Sequence, residues 1–479
     1  MSVEGESTVL PPEEVCRHAL LTRDAKFDGR VFIAARTTKV YCRPACRTRR
    51  PNGERIQFYA SAAAAQDAGL RPCPSCRPEW AQPPPEWTLS SNTVLRGLRL
   101  IESGFLNEAG TGGLAAKLGV SRSRLVQLFV EDLGASPAAI ARLRRVRLAR
   151  DLLEGTNLSR GEIARHAGFG GAAGLSAALH KTYQRSATRI RRETKAARGQ
   201  RVQVNLSPRG PYDCDWMFEY LKRRALAGIE SVRGRPGSWT YSRRLREGGC
   251  VEVQQTEAGL RADMPIGTEP IYRLLNRIRC VFDLHTDGDA IHAHLIEAPL
   301  LSEWVKATPG LRVPGAWDGY ETAVRAVLGQ QVSVERGTVL ANKMIVAYGD
   351  GEFPKPEQII DREVAEIGMP GQRGRAISRL SQAVLRGELA LDDCQDYGAI
   401  DGELQQIPGI GPWTANYIRM RVLKDPNAFP DNDWVVLKAL NCTAAKARKR
   451  AEPWQPWRAY GLMYLWSASK TLKARQVSE

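Results

Sequence analysis

The sequence lacks any long apolar segment and any recognisable export signal. No uninterrupted apolar run reaches about eighteen residues, the length that would span a bilayer. Residues 1–12 are polar and acidic and lack the cationic start and apolar core of a secretory signal, so we expect none. Hydrophobic residues make up 43% and charged residues 25% of the 479 positions, which excludes a wholly disordered chain. At roughly 150 residues per domain, this length predicts about three or four domains.

Acidic side chains are fewer than basic ones, and most of this difference lies in the N-terminal part of the chain. The chain has 69 Lys and Arg against 52 Asp and Glu, a net charge of +17. Residues 1–200 hold 32 basic and 18 acidic residues, whereas residues 201–479 hold 37 and 34. A basic N-terminal part favours nucleic acid as the partner. The alternative is a generally basic surface with no specific partner.

Four of the ten cysteines form two close pairs, Cys42 with Cys46 and Cys73 with Cys76. Two such pairs can surround one zinc ion with sulfurs at about 2.3 Å, and without a secretory signal a disulfide framework is not expected. Arginines flank both pairs, Arg43 and Arg47 beside the first. On spacing alone, an ordinary structural zinc site is the favoured interpretation.

The wider sequence around these cysteines favours a zinc site with a chemical function over a purely structural one. The segments Val31–Arg47, Phe58–Ala60 and Gly69–Cys73 resemble the N-terminal domain of Ada-type methylation-response proteins. The resemblance implies that Cys42 accepts a methyl group from a DNA methylphosphotriester, with Cys46, Cys73 and Cys76 as companion zinc ligands. Arg43 and Arg47 are then candidate DNA contacts. Methylation would change the cluster's formal charge from about −2 to −1 and weaken its repulsion from phosphate.

A helix-turn-helix pattern follows a proline-rich stretch at Gln82–Pro85 that we interpret as a linker. In Gly113–Phe129, one helix, a turn and the N-cap Ser121 precede a second helix, the arrangement that enters a DNA major groove. Arg122, Ser123 and Gln127 are its candidate DNA contacts. With the second unit at Leu158–Phe169, the region resembles an AraC-type DNA-binding domain. The glycine- and alanine-rich residues 170–174 have little with which to read bases.

Pro408, Gly409, Ile410 and Gly411 form a turn between two helical runs. The glycines allow a tight hairpin whose backbone N–H groups can bind DNA phosphate without reading sequence. Taken alone, such a glycine-rich turn is usually only a turn. Here it is followed, eighteen residues after Ala415, by Asp433 in the segment Phe429–Lys438.

This hairpin and aspartate resemble helix-hairpin-helix DNA glycosylases, and residues 205–470 resemble AlkA-type 3-methyladenine DNA glycosylase II. The supporting segments are Pro211–Met217, Gly310–Gly315, Ala326–Val334, Ile367–Pro370 and Trp454–Tyr460. The resemblance implies that Asp433 stabilises a cationic sugar and orients water. Asp431 is the competing carboxylate, and a simple N-cap is the alternative role for Asp433.

The resemblance also implies a pocket for an extruded base. Trp413, Tyr417, Trp434 and Trp466 are its candidate aromatic walls, since electron-rich rings attract a cationic methylated base. Each ring alone is more often part of a core, and Trp454 and Trp457 are assigned there. Gln331 occupies the position where relatives insert a side chain into the DNA.

Several absences refine the expected chemistry. Tryptophan stands where strand-cutting relatives carry a Schiff-base lysine, which implies a monofunctional enzyme without lyase activity. No cysteine follows Cys442, so no iron–sulfur cluster is expected. The Pro-Cys-His-Arg signature of alkylguanine methyltransferases is absent, so direct repair of O6-methylguanine is not expected. His292 and His294, on a predicted strand at 290–295, lack a third metal ligand nearby.

The sequence therefore predicts a multidomain protein, mainly α with α+β parts. Its domains are a zinc and methyl-acceptor domain at 1–82, a helix-turn-helix domain at 86–195, an α+β domain at 203–298 and an all-α helix-hairpin-helix glycosylase core at 299–475. We expect one zinc ion, double-stranded DNA as partner, RNA polymerase as a further partner, a monomer, and a location at the bacterial nucleoid in the cytoplasm. The alternative function is mainly that of a methylation-activated transcription regulator, with the glycosylase secondary.

Overall fold

The computed structural model describes residues 10–24, 27–35, 38–48, 56–80, 92–193, 201–257, 259–267, 269–391 and 397–476. The predicted linker at Gln82–Pro85 lies outside these residues. The chain divides into two compact units, 1–202 with 268–276 and 203–267 with 277–479. Among the described helices, none is long and apolar enough to cross a membrane.

In the described part of residues 10–80, a small sheet carries the cysteine pairs. The elements are α1 (Glu13–Thr22), β1 (Phe32–Ala35), β2 (Val40–Cys42), β3 (Ile56–Tyr59), α2 (Ala62–Asp67) and β4 (Arg71–Pro72). The strand order of the sheet is β3-β1-β2-β4, with β1 antiparallel to β2 and β3, and β4 parallel to β2. Because β2 and β4 are neighbours, the ends of these strands bring Cys42 and Cys73 together.

The rest of the first unit is helical, as predicted. Its helices are α3 (Asn92–Ser103), α4 (Phe105–Glu108), α5 (Gly110–Lys117), α6 (Arg122–Leu133), α7 (Pro137–Gly155), α8 (Arg160–Ala167), α9 (Ala172–Tyr183) and α10 (Ala187–Glu193). The turn between α5 and α6 has Gly119 at a φ of +72°. The Ser121 hydroxyl accepts a hydrogen bond from the Arg124 backbone N–H and begins α6. The predicted turn and N-cap are confirmed.

A five-stranded sheet belongs mainly to the second unit. The elements of this region are β5 (Arg201–Leu206), α11 (Cys214–Lys222), β6 (Glu230–Arg233), β7 (Thr240–Arg244), β8 (Cys250–Thr256) and β9 (Gly259–Pro265). The strand order is β5-β9-β8-β7-β6, in which β6 to β9 are antiparallel neighbours. Alternate residues of β5, β7, β8 and β9 are buried, as in a sheet that covers a core on one face.

The strand predicted at 290–295 is wrong, because these residues form a helix. The Asp287 carboxylate accepts hydrogen bonds from the Asp289 and Ala290 backbone N–H groups and thereby caps the helix at its N-terminus. Residues two apart on a helix point to different sides. His292 and His294 therefore do not share a face, and the geometry on which their metal interpretation rested is absent.

Most of the remaining helices belong to the second unit and include the predicted hairpin, whereas the helix Ile271–Val281 begins in the first unit and ends in the second. The remaining helices are α12 (Ile271–Val281), α13 (Gly288–Leu295), α14 (Ser302–Ala307), α15 (Gly319–Leu328), α16 (Val334–Tyr348), α17 (Gly371–Leu385), α18 (Tyr397–Gln406), α19 (Pro412–Arg421), α20 (Trp434–Leu440), α21 (Ala444–Arg450) and α22 (Arg458–Gln476). Tyr417 on α19 packs against two hydrophobic clusters, one built around α15 to α19 and the other around α20 and α22. Trp454 and Trp457 are buried in the second cluster, as predicted.

Candidate functional site

The four cysteines of the sequence pattern form one cluster. Their Sγ atoms all lie within 4.8 Å of one another. Sulfurs at about 2.3 Å from zinc in a tetrahedron are spaced by roughly 3.8 Å, so this donor set fits one zinc ion. Cys46 and Cys73 are buried, whereas Cys42 and Cys76 are partly exposed. A hydrogen bond from Cys42 lowers the pKa of the Cys76 thiol to about 6, although burial opposes this shift.

An aspartate that the sequence interpretation missed organises the first cysteine pair. The Asp28 carboxylate accepts a hydrogen bond from Arg43 Nη1 at 2.9 Å and one from the Ala45 backbone N–H at 3.2 Å. Asp28 thus holds Arg43 in place, while Arg47 is exposed. Asp28 precedes Cys42 by fourteen residues in a loop, and no spacing rule marks it.

The predicted recognition helix α6 presents its candidate contacts outward. Arg122, Ser123 and Gln127 are exposed, while Leu125 and Phe129 are buried. Gln127 donates a hydrogen bond to Glu131 on the same face. The helix is therefore anchored by its apolar side and offers a polar side to a ligand.

The hairpin between α18 and α19 has the shape that its sequence predicts. Gly409 adopts a φ of +101°, and the side chains of Ile407 and Ile410 are buried. Ile410 can therefore contact DNA only through its backbone. Gly411 is the N-cap of α19 and brings no side-chain oxygen to the first turn. The N-terminal turn of the helix is thus left for an external anion.

A side chain from another loop supports this hairpin. Gln330 donates hydrogen bonds from Nε2 to the Gly409 carbonyl at 2.9 Å and to the Thr414 hydroxyl at 2.8 Å. The backbone carbonyl of Gln330 accepts a hydrogen bond from Arg373 Nη2 at 2.6 Å. The next residue, Gln331, has a left-handed φ of +52° and is exposed. Gln331 therefore protrudes beside the hairpin from a loop that Gln330 holds in place.

Asp433 is buried and accepts four hydrogen bonds. Its Oδ1 accepts from the Val435 and Val436 backbone N–H groups at 3.0 and 3.1 Å and from Trp466 Nε1 at 3.2 Å. Its Oδ2 accepts from Trp413 Nε1 at 2.7 Å. Asp433 is thus an N-cap and also a carboxylate clamped between two indole rings.

The competing carboxylate, Asp431, has a different environment. Arg448 Nε donates a hydrogen bond to it at 2.6 Å. Asp431 is thus paired with a charged guanidinium, whereas the donors to Asp433 are uncharged N–H groups. The two carboxylates therefore differ in the charge of their partners.

Three of the four predicted pocket rings lie together. The Trp413 and Tyr417 rings stack with centroids 5.3 Å apart, and the Tyr417 and Trp466 centroids are 6.3 Å apart. Trp434 is more exposed than these three residues: it is 63% exposed, and its ring centroid lies 5.2 Å from Lys438 Nζ. We call Trp413, Tyr417, Trp466 and Asp433 the aromatic pocket.

Three family profiles match separate parts of the chain. They are described as the metal binding domain of Ada, at residues 15–79, a helix-turn-helix domain, at residues 114–193, and the AlkA N-terminal domain, at residues 203–318. The first covers the cysteine cluster, and the second begins within α5.

Curated relatives cover the whole chain and its parts. A protein of Mycobacterium tuberculosis described as a probable bifunctional transcriptional activator/DNA repair enzyme AlkA is 35% identical over 477 residues, which are 95% of this chain and 96% of that protein. DNA-3-methyladenine glycosylase 2 of Escherichia coli is 32% identical over 53% of this chain and 94% of its own length. The bifunctional transcriptional activator/DNA repair enzyme Ada of Escherichia coli is 34% identical over 28% of this chain and 37% of its own length.

Proposed function

The chain belongs to the family of bifunctional AlkA proteins, which join a transcriptional activator to a DNA repair enzyme, and from this premise we propose that its second unit excises alkylated bases of the 3-methyladenine type. The observation that carries the proposal is the buried Asp433 carboxylate between two indole N–H groups. The hairpin at residues 408–411 would bind DNA phosphates, and Gln331 would enter the gap left by the extruded base.

The proposed reaction is hydrolysis of the N-glycosidic bond. The bond from C1′ of the sugar to the base nitrogen breaks, and its electron pair leaves with the base. The negative charge of Asp433 stabilises the oxocarbenium-like sugar and orients the water whose oxygen bonds to C1′ and whose proton is released. Alkylation makes the base cationic and a good leaving group, and the rings of the aromatic pocket would stack against it. Because Trp413 cannot form a Schiff base, the enzyme would be monofunctional.

The cysteine cluster supports a second, stoichiometric activity. When bound, zinc keeps the sulfurs as thiolates at neutral pH. We propose that the Cys42 sulfur attacks the methyl carbon of a DNA methylphosphotriester. The new S–C bond forms as the C–O bond breaks, and the electron pair leaves with the phosphate oxygen to give a diester. One zinc ion and no iron–sulfur cluster complete this part of the proposal.

The helix-turn-helix region supports a regulatory function, in which the exposed face of α6 would bind promoter DNA. Loss of negative charge at the methylated cluster would strengthen this binding. A monomer that contacts RNA polymerase is part of the same proposal. Promoter binding that increases after methylation of Cys42, with little base release, would favour the alternative of a protein that is mainly a regulator.

The deciding experiment for the glycosylase measures base release from alkylated duplex DNA. Asp433→Asn keeps a side-chain oxygen that can cap α20, so the variant should fold, but it loses the negative charge. We expect its rate to fall at least about a hundredfold. The matched control, Asp431→Asn, should keep a rate within about threefold of wild type. No release of 3-methyladenine by wild type, or equal rates for wild type and Asp433→Asn, would sink the assignment.

A further inference from the structure

A buried arginine lies behind the aromatic pocket and has no part in the chemistry described so far. Arg421 is the last residue of α19 and only 8% exposed. Its Nε donates to the Pro314 carbonyl, and its Nη2 donates to the Gly315 carbonyl at 3.0 Å. Two backbone acceptors therefore fix one edge of the guanidinium, and the position of Nη1 follows from its planarity.

The remaining donor group of Arg421 joins two tyrosine hydroxyls. Nη1 donates to the Tyr220 hydroxyl and to the Tyr417 hydroxyl, each at 2.7 Å, and the two hydroxyl oxygens are 3.4 Å apart. Burial raises the pKa of Tyr417, but the neighbouring guanidinium groups of Arg421 and Arg224 outweigh burial and lower the pKa to about 8. The Tyr417 oxygen is therefore strongly bound to the guanidinium.

Tyr220 comes from a different part of the fold than the other two residues. It lies on α11, next to the sheet of the second unit, and its side chain is 3% exposed. Its ring is 5.4 Å from that of Trp216 and 3.7 Å from the Arg224 guanidinium carbon. These contacts and its burial restrict the Tyr220 ring, so its hydroxyl is an anchor for Arg421.

The anchored hydroxyl connects to the reacting carboxylate in two contacts. Tyr417 stacks on Trp413 with ring planes 17° apart, and Trp413 Nε1 donates to Asp433 Oδ2. A tyrosine ring without a bound hydroxyl could tilt or slide against Trp413. Trp413 would then lose its alignment with the carboxylate, and small displacements in a catalytic site cost large factors in rate.

We propose that Arg421 and Tyr220 are positioning residues of the base-excision site, which hold Tyr417 by its hydroxyl and thereby keep Trp413 and Asp433 in their working geometry. The inference rests on the proposed glycosylase function. It assigns a role in excision to α11, whereas the proposed catalytic and pocket residues all lie on or beside α19, α20 and α22.

Removal of single hydroxyl groups tests this arrangement without emptying the site. Tyr220→Phe and Tyr417→Phe each keep the ring and remove one acceptor of Arg421. Under single-turnover conditions at saturating DNA, we expect each variant to release the alkylated base about tenfold more slowly than wild type, with affinity for undamaged DNA unchanged. Both substitutions break the same connection. The double variant should therefore release the base at a rate within about twofold of that of the slower single variant.

Tyr320→Phe is the matched structural control. Tyr320 is also buried, and its hydroxyl contacts the Ser381 hydroxyl at 2.7 Å on α17, outside the aromatic pocket. It should lower the melting temperature as Tyr220→Phe does and leave the rate within about twofold of wild type. The inference is overturned if Tyr220→Phe keeps the wild-type rate, if the two single effects multiply in the double variant, or if Tyr320→Phe slows release equally. If wild-type protein released no base, the proposed glycosylase function would fail as well. Failure of the function is therefore distinguishable from failure of the positioning role alone, in which wild type is active.

Discussion

Asp433 shows how one side chain can serve both a helix and a reaction. Its Oδ1 caps α20 through two backbone N–H groups, and its Oδ2 is bonded to Trp413. The cap fixes the position of the carboxylate at the helix N-terminus, where the helix dipole also favours a negative charge. The two roles are therefore compatible, and the cap contributes to the geometry that the proposed reaction needs.

Among the four clustered cysteines, solvent exposure limits which sulfur can accept a methyl group. Cys46 and Cys73 are buried, and Cys42 and Cys76 are partly exposed. After incubation with duplex DNA that carries a methylphosphotriester, we expect the protein to gain one methyl group per chain, found on Cys42 by peptide mass mapping. Cys42→Ser should abolish the gain, and Cys214→Ser, outside the cluster, should not change it. Methyl found on Cys76 would contradict the assignment.

At the scale of an element, the hairpin depends on packing as well as on its glycines. An added Cβ at Gly409 would lie 2.7 Å from the Ala376 Cβ on α17, in addition to the cost of its positive φ. The hairpin is thus pressed against α17 and held from another side by Gln330. These contacts with Ala376 and Gln330 hold the hairpin in place, and the N-terminal turn of α19 remains exposed.

Gly409→Ala should therefore weaken both the fold and DNA binding. We expect a loss of roughly 1–3 kcal/mol in the free energy of unfolding, because the conformation and the space are both unsuited to alanine. Affinity for undamaged duplex DNA should fall about tenfold, measured by fluorescence anisotropy. Gly402→Ala in α18 is the control, since nothing lies within 4 Å of its added Cβ. That substitution should be neutral or stabilising, and equal losses in both variants would contradict the explanation.

At the scale of the whole molecule, the excess of positive charge lies mainly in the first 200 residues. They carry 32 basic and 18 acidic residues, against 37 and 34 in the remainder. The cysteine cluster and α6 belong to the first compact unit, and the hairpin and Asp433 belong to the second. From this placement of the candidate sites we propose two DNA contacts that can be disturbed separately.

Removal of zinc tests whether the first unit can be disturbed without loss of base release by the second unit. A chelator, or the paired substitutions Cys73→Ser and Cys76→Ser, should lower the thermal stability of the first unit, because metal binding contributes directly to folding in small cysteine domains. Base release from alkylated DNA without phosphotriesters should stay within about twofold of the untreated protein. Calorimetry and zinc analysis give the first result, and the base-release assay gives the second. Cys442→Ser, in the second unit, is the control that should retain zinc, and a parallel loss of base release on chelation would count against independence.

Local patterns were enough to predict much of this protein. Cysteine spacing, the Ser121 cap and the turn at residues 408–411 depend on neighbours a few residues apart, and the structure bears out each of these patterns. Asp433 was singled out by the resemblance to glycosylases, and it caps α20. The strand at 290–295 was wrong because a period of two over six residues does not distinguish a strand from a capped helix.

Only the tertiary structure decided which side chains meet. Trp413 and Trp466 are far apart in sequence yet both donate to Asp433, whereas Trp434, its direct neighbour, points to solvent. Arg421 meets Tyr220 across 201 positions of the chain. The sequence by itself determined the helix-turn-helix and the hairpin turn, because these follow from short-range hydrogen bonds and spacing, whereas the resemblance to known families assigned the residues proposed to carry the chemistry. The composition of the pocket follows from how α11, α19, α20 and α22 pack, and no local pattern encodes that packing.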